Sequence, residues 1–390
     1  MLKDLRDPAT DATGATEPGA IYRRIGVEPI VNGATTMTYL GGSLMPPEVL
    51  DAMRQASECF VDMYELQGAV GRRIAELTRN EAAFVSGGAA AGMFLSAVVC
   101  MAGEAVDGIV RPGQLDSLPR DFLIQRPHRV PYDPAIELAG GRLVEVGSPD
   151  GTTELDFEAA FTPQTAGILH VAGAHLADGA LPLETVVRLA RAHDVPVIVD
   201  AAAQLPPVEN LWAFTAAGAD IVLFSGGKAL RGPASTGLVL GRAAYVDRFA
   251  AHAAPKQRIG RPMKVSKEDL IGILAAVEWY LAQDHAAVAR RYEAIVDHVV
   301  AWSHGRRDLT AVRDTPGQAG QPTPRVLITL NGDLARRRDE VLARLRADAP
   351  RVELLPAAED GLYLAPECLL PEDEIVVTQR LAEVLEGLGR

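Results

Sequence analysis

From residue 81 onward, short apolar runs alternate with stretches of helical periodicity. The runs are Ala82–Val85, Phe122–Ile124, Leu143–Val146, Gly167–Val171, Val195–Val199, Ile221–Phe224 and Gly237–Leu240, with helical stretches such as Leu183–Ala192 between them. That alternation predicts an α/β domain built on a mostly parallel seven-stranded sheet covered on both faces. In such sheets ligands bind beyond the carboxyl ends of the strands. Upstream, residues 21–45 read as an extended arm. Pro46-Pro47-Glu48 then opens a helix with prolines in the permitted first positions and Val49, Met53 and Phe60 on one face, and a second helix covers Leu66–Leu77.

After about residue 255 the pattern changes. Lys267–Ala282 reads as a long helix, continuing after a break toward Trp302. β-rich segments follow at Arg325–Leu330 and Gly361–Leu364, with helices at Leu334–Ala347 and Glu372–Leu388. The Gly/Pro/Gln-rich stretch Arg313–Pro324 reads as a loop. At 390 residues the chain exceeds one ordinary core. The expected division is a lead-in and arm (1–45), a large domain (46–255), and a junction helix with a smaller α+β domain (256–390).

Charge narrows the partners. Lys and Arg number 38 against 51 Asp and Glu, a net −13, which opposes nucleic acid because that affinity comes from phosphate neutralisation. Cys59, Cys100 and Cys368 lie far apart with no C-x-x-C, so neither a disulfide framework nor a metal site is expected, and a reducing cytoplasm fits. Met1–Ala20 is polar and acidic without an apolar core, unlike a signal peptide. Ala82–Gly103 carries no charged residue and is long enough to span a bilayer, but Ser86-Gly87-Gly88 divides it into a strand and a helix of buried α/β core. No membrane partner is expected.

Two strand ends carry the chemistry. Val195–Val199 runs into Asp200, and Ile221–Phe224 runs into Ser225-Gly226-Gly227-Lys228-Ala229-Leu230-Arg231-Gly232-Pro233. A lysine among glycines lets a flat ligand approach closely. A strand-end Asp paired with a strand-end Lys suits pyridoxal 5'-phosphate, the lysine forming the Schiff base and the carboxylate keeping the pyridine nitrogen protonated. Ser225 and Lys228 also spell S-x-x-K, but the S-D-N and K-T-G companions of that nucleophile motif are absent. A phosphate-binding P-loop needs Ser or Thr after the lysine, where Ala229 stands.

Other candidates group around this pair. Ser86, Gly87, Gly88 and Ala89 join a strand to a helix, and their tiny side chains let backbone N–H groups close on a phosphate. Ser225 adds a hydroxyl. His128, after a strand, either stacks on the pyridine ring or is a polar loop histidine. Gln204 faces the ring edge or makes a helix-start hydrogen bond. His170 sits near the ring oxygen or is a satisfied core histidine, and His175 is less placed. Arg258, Arg261 and Lys264 form a basic cluster at the junction, either clamping a substrate carboxylate or phosphate or lying solvated; Arg231 is a further anion candidate.

Four stretches together resemble a known family: the Ser225–Pro233 turn, Asp200–Pro207, Tyr39-Leu40-Gly41-Gly42-Ser43-Leu44-Met45-Pro46 and Gly260-Arg261-Pro262-Met263-Lys264-Val265. They resemble the pyridoxal-phosphate enzymes grouped with bacterial selenocysteine synthase, nearest the D-glucosaminate-6-phosphate ammonia-lyase branch, over about residues 22–285. The resemblance implies fold type I, a seven-stranded large domain with a small C-terminal one, and a homo-oligomer with active sites at the subunit interface. It places Lys228 as the cofactor lysine, Asp200 at the ring nitrogen and Ser86–Ala89 as the phosphate loop. Selenocysteine synthases carry an N-terminal tRNA-binding domain before this core; only about 20 polar residues stand there in this chain, so a tRNA substrate is not expected.

The reading that follows is a lyase acting on an amino acid with a leaving group at Cβ. Loss of a β-hydroxyl from a hydroxy or sugar-derived amino acid would give a 2-oxo acid and ammonia. Racemisation or epimerisation, or retro-aldol cleavage, are alternative fates of the same carbanion. A selenium transferase and a non-catalytic protein of this fold are the remaining alternatives.

Overall fold

The computed structural model describes residues 19–103 and 108–388, so most of the expected lead-in, residues 1–18, lies outside it. In chain order the strands are β1 (Ile30–Asn32), β2 (Ala82–Ser86), β3 (Asp121–Gln125), β4 (Arg142–Val146), β5 (Thr165–Val171), β6 (Val197–Asp200), β7 (Ile221–Ser225), β8 (Gly237–Gly241), β9 (Leu309–Asp314), β10 (Arg325–Leu330), β11 (Arg351–Glu353), β12 (Leu355–Pro356) and β13 (Gly361–Leu364). The seven apolar runs become β2 to β8 and form one sheet, ordered β2-β8-β7-β6-β5-β3-β4. β8 is antiparallel to both its neighbours, and every other pairing is parallel.

Both faces of this sheet are buried. Val85, Ile168, Val199 and Val222 point into one core, while Phe84, Leu169, Ile198 and Leu223 point into the other. That is the physical reason these strands are continuously apolar. The helix Ala89–Ala102 is apolar on all sides because it lies inside the second core. It packs so closely that a Cβ on Gly92 would lie 3.1 Å from Ser86 Oγ and 3.2 Å from Leu223 and Val239. Among the described residues no helix is long and apolar enough to cross a membrane. The helix Met63–Leu77 begins ahead of its expected start at Leu66, because Asp62 caps it by accepting from the N–H groups of Tyr64 and Glu65.

Residues 36–288 together with 316–323 form one compact unit. The boundary expected at 255 falls inside it, because the helix Lys267–Leu281 packs against the helices Pro47–Ser57 and Met63–Leu77. The other unit comprises the described chain up to Thr35, Ala289–Thr315 and Pro324 onward. It holds an antiparallel sheet ordered β12-β13-β10-β9 and the helices Arg338–Ala347 and Asp373–Leu388. The stretch 21–45, expected as an extended arm, is extended only in part: Ala20–Arg23 is helical, Thr38–Leu40 is a 3-10 turn, and Ile30–Asn32 forms β1, paired parallel with β11. β9, β11 and β12 were not expected from the sequence. β9 runs into the stretch read as a loop, and β11 is three residues long with Arg and Glu at its ends.

Candidate active site

Ser86, Asp200 and Ser225 are the last residues of β2, β6 and β7, and His170 is the penultimate residue of β5. These strands run in one direction, so their carboxyl ends share one edge of the sheet. β8 starts at that edge, and its first residue, Gly237, pairs in register with both Ser86 and Ser225. Asp200 pairs with Val171 on the next strand. Residues far apart in sequence are thereby set side by side.

The lysine turn is held by its own backbone. The Gly226 N–H donates to Thr236 O at 2.9 Å, Gly232 N–H to Gly226 O at 2.8 Å and Arg231 N–H to Lys228 O at 2.9 Å. A Cβ on Gly227 would lie 2.5 Å from Ala234 Cα, so no larger residue fits there. The Gly41-Gly42-Ser43 segment closes on the turn: Ser43 N–H donates to Gly227 O at 2.9 Å, and a Cβ on Gly42 would lie 2.8 Å from that oxygen. Burial lowers the pKa of Lys228, with the Asp200 charge opposing. Burial raises the pKa of Asp200, opposed by a 3.0 Å hydrogen bond from Ala202 N–H and by the Lys228 charge.

At the same sheet edge lies the small-residue turn that joins β2 to the helix Ala89–Ala102. Ser86 Oγ donates to Gly88 O at 2.9 Å, and Gly88 takes a positive φ of 99°. No side chain caps the helix Ala89–Ala102, so its first-turn N–H groups and dipole are available to an anion. The turn is backed tightly, since a Cβ on Gly237 would lie 2.3 Å from the Gly88 carbonyl carbon. The basic junction segment lies on the same turn: a Cβ on Gly87 would lie 2.9 Å from Met263 O. A cavity of about 200 Å³ there is lined by Ser86, Gln67, Arg261 and Lys264 among others. The Nε atoms of Arg258 and Arg261 are buried without a hydrogen-bond partner. Arg231 instead sets its guanidinium 6.0 Å from the centroid of Trp279.

His128, in a short turn after β3, is buried. The Val171 N–H donates to its Nδ1 at 3.3 Å, which leaves the ring proton on Nε2, and burial pushes its pKa down to about 4. His170 meets it edge-on, with ring centroids 4.5 Å apart and an interplanar angle of 86°. Burial, aided by His128, pushes His170 down to about 3. Its Nδ1 is buried without a partner, so His170 is not a satisfied core histidine. Gln204 Nε2 donates to Ala319 O at 2.9 Å, and His175 hydrogen-bonds the backbone of that residue. The sequence did not single out Ser43 as a site residue, yet its Oγ is buried and unpartnered beside the lysine turn. The Gly41-Gly42 doublet, which permits that close approach, was the available signal.

Comparisons with known proteins place the chain among relatives of similar sequence and fold. The family model SelA, L-seryl-tRNA selenium transferase, matches residues 30–294. A 5'-C-glycyluridine monooxygenase-decarboxylase of a Streptomyces species is 35% identical, over 94% of this chain and 92% of its own length. A D-glucosaminate-6-phosphate ammonia lyase of Salmonella typhimurium is 29% identical, over 94% of this chain and 98% of its own. A solved structure of D-glucosaminate-6-phosphate ammonia-lyase superposes with a TM-score of 0.83 at 28% identity, covering 95% of this chain and 99% of that one. The fold is type I of the pyridoxal-phosphate enzymes, shared with aminotransferase structures, and it implies that cofactor. With most of its length matched by the family model, this chain belongs to the L-seryl-tRNA selenium transferase family.

Proposed function

We propose that the chain is a pyridoxal-phosphate-dependent lyase. It removes the amino group and β-hydroxyl of an amino acid with a sugar-derived skeleton, giving a 2-oxo acid and ammonia. The observation that carries this reading is a buried carboxylate, Asp200, and a buried amine of lowered pKa, Lys228, on neighbouring strand ends. The residues fit the cofactor. Asp200 is buried, and the charged group acting on it is Lys228, the lysine that would join the cofactor, so the carboxylate would face a protonated ring nitrogen. Ser86, Gly87, Gly88 and Ala89 would hold the cofactor's phosphate with Ser225, and His128 would lie against its ring. When bound, the cofactor supplies an electron sink that makes the substrate Cα–H acidic.

The chain's own residues do the rest. Lys228 Nζ, held toward its neutral form by burial, accepts the Cα proton. The β-oxygen takes a proton and leaves as water, and one water is consumed as ammonia is released, so the overall change is loss of ammonia. Arg258 and Arg261, whose Nε atoms lack protein partners, read the substrate anion. The ammonia-lyase relative and structure support this reading. The relative at 35% identity supports a second one, monooxygenation with decarboxylation. Exposed Phe60, Val61 and Tyr64 support a homo-oligomer. The free cysteines support a cytoplasmic setting, and the net charge of −13 argues against a nucleic-acid partner.

The test is a product screen. D-glucosaminate 6-phosphate, 5'-C-glycyluridine and D- and L-β-hydroxy amino acids are assayed for 2-oxo acid, ammonia, oxygen uptake, carbon dioxide and loss of optical activity. Ammonia with 2-oxo acid in equal amounts supports the lyase. Oxygen uptake with carbon dioxide would install the second reading, and loss of optical activity alone would make it a racemase. Borohydride reduction and peptide mapping should place the pyridoxyl group on Lys228; label on another lysine would sink the assignment.

A further inference from the structure

Gln204, read from the sequence as facing the cofactor ring edge or making a helix-start hydrogen bond, donates its Nε2 proton to the backbone of a distant segment. It lies four residues past Asp200, beyond the carboxyl end of β6, and is buried. His175 lies four residues past Val171, beyond the carboxyl end of β5. Those strands are neighbours, with Val171 in register with Asp200. Both side chains converge on one peptide: Gln204 Nε2 donates to Ala319 O at 2.9 Å, and the His175 ring hydrogen-bonds the Ala319 backbone.

That peptide belongs to 316–323, which lies in sequence between β9 and β10 but packs with the unit that contains the site. The segment is a formed turn. Gly317 N–H donates to Gln321 O at 2.9 Å, Gly320 N–H to Gly317 O at 3.0 Å and Ala319 N–H to Gln321 Oε1 at 2.9 Å. Its seat is shaped by glycines on both sides. A Cβ on Gly320 would lie 2.5 Å from Ala174 N, and one on Gly173 would lie 3.1 Å from Ala319 O.

We propose that residues 316–323 are a strap across the carboxyl ends of β5 and β6 that bounds the substrate side of the site, with Gln204 as its latch. Gln204 is thus a positioning residue that acts through Ala319. A single neutral hydrogen bond is modest in net strength, but a buried amide left without an acceptor is costly, so the latch favours one seated position of the strap. The proposal rests on the lyase reading only for the identity of the substrate.

The test uses the full chain loaded with pyridoxal phosphate and the variant Gln204→Leu, which keeps the bulk and removes the donor. Amide exchange across 317–321 should quicken by between roughly twofold and tenfold, the worth of one neutral hydrogen bond. The Michaelis constant for D-glucosaminate 6-phosphate should rise by a similar factor with kcat changed less, and the cofactor absorbance band should stay in place. Gly320→Val, which unseats the strap from its own side, should give the same exchange and Michaelis-constant changes. Unchanged exchange in Gln204→Leu would overturn the proposal. So would a shifted cofactor band with the strap still protected, because Gln204 would then face the ring. If D-glucosaminate 6-phosphate is not turned over at all, the substrate reading fails, while the exchange result still decides the latch.

Discussion

Replacing Asp200 by Asn separates what the site costs the apoprotein from what it gives the holoprotein. Asp200 is 7% exposed, and burial raises its pKa above the usual carboxylate value of 3.8. A raised carboxyl pKa means the folded apoprotein disfavours the charge, so stability falls as pH rises through the folded value. The Asn side chain keeps an oxygen for the 3.0 Å hydrogen bond from Ala202 N–H and removes the charge. Relieving a poorly compensated buried charge should stabilise the apoprotein near pH 7.5 by about 1–3 kcal/mol. For a unit of this size each kcal/mol is worth about 2–4 °C, so the apo melting temperature should rise by about 2–12 °C. The gain should shrink toward pH 4, where Asp200 protonates in the folded and unfolded states alike. The holoprotein should move the other way. Loss of the charge-assisted contact with the ring nitrogen costs about 1.5–3 kcal/mol, roughly tenfold to a hundredfold in cofactor affinity. Apo and cofactor-loaded melts at several pH values, with a cofactor titration followed by absorbance, measure both arms. An Asn variant that is less stable as apoprotein and binds the cofactor as tightly as wild type would refute the reasoning, because Asp200 would then be a structural carboxylate.

Further expectations follow from neighbouring groups. Arg261→Ala should raise the Michaelis constant about tenfold to a hundredfold and leave the cofactor absorbance unchanged, with Arg261→Lys rescuing only partly because the planar fork is lost; release of cofactor instead would assign Arg261 to the phosphate in the cavity it shares with Ser86. His128 is held near 4, below its ordinary 6.5, so its stability contribution is present above 6.5 and lost as pH falls through about 4. His128→Phe should therefore flatten the stability decline between pH 7 and pH 4 by about 3 kcal/mol relative to wild type, read by denaturant melts; parallel curves would refute it. Gly237→Ala places a methyl against the Gly88 carbonyl carbon, 2.3 Å away, and should cost about 1–3 kcal/mol of stability and weaken cofactor binding; an unchanged melt and cofactor titration would show that the turn yields freely.

The sequence by itself determined the large sheet, because strands buried on both faces must be apolar at nearly every position. It also set Asp200 at one strand end and Lys228 just past the next, since a carboxylate and a glycine-flanked lysine at strand ends need no partner to be legible. Even the uncharged run from Ala82 to Gly103 was readable as core, because its glycines divide it. Short-range capping was finer than the pattern could resolve, as at Asp62. What only the tertiary structure decided concerns contacts between residues distant in sequence. The register that sets Gly237 between Ser86 and Ser225 is a property of β8 running antiparallel, which no local pattern encodes. β1 and β11 are too short to announce themselves and exist because each supplies the other's hydrogen bonds. The unpartnered Nδ1 of His170 became visible only once its surroundings were assembled. Gln204 is the sharpest case: its position after Asp200 suggested the ring edge or a helix-start hydrogen bond, and nothing local announced its bond to Ala319, 115 residues away. A side chain's partner is fixed by where the backbone brings other groups, and sequence spacing alone cannot supply that.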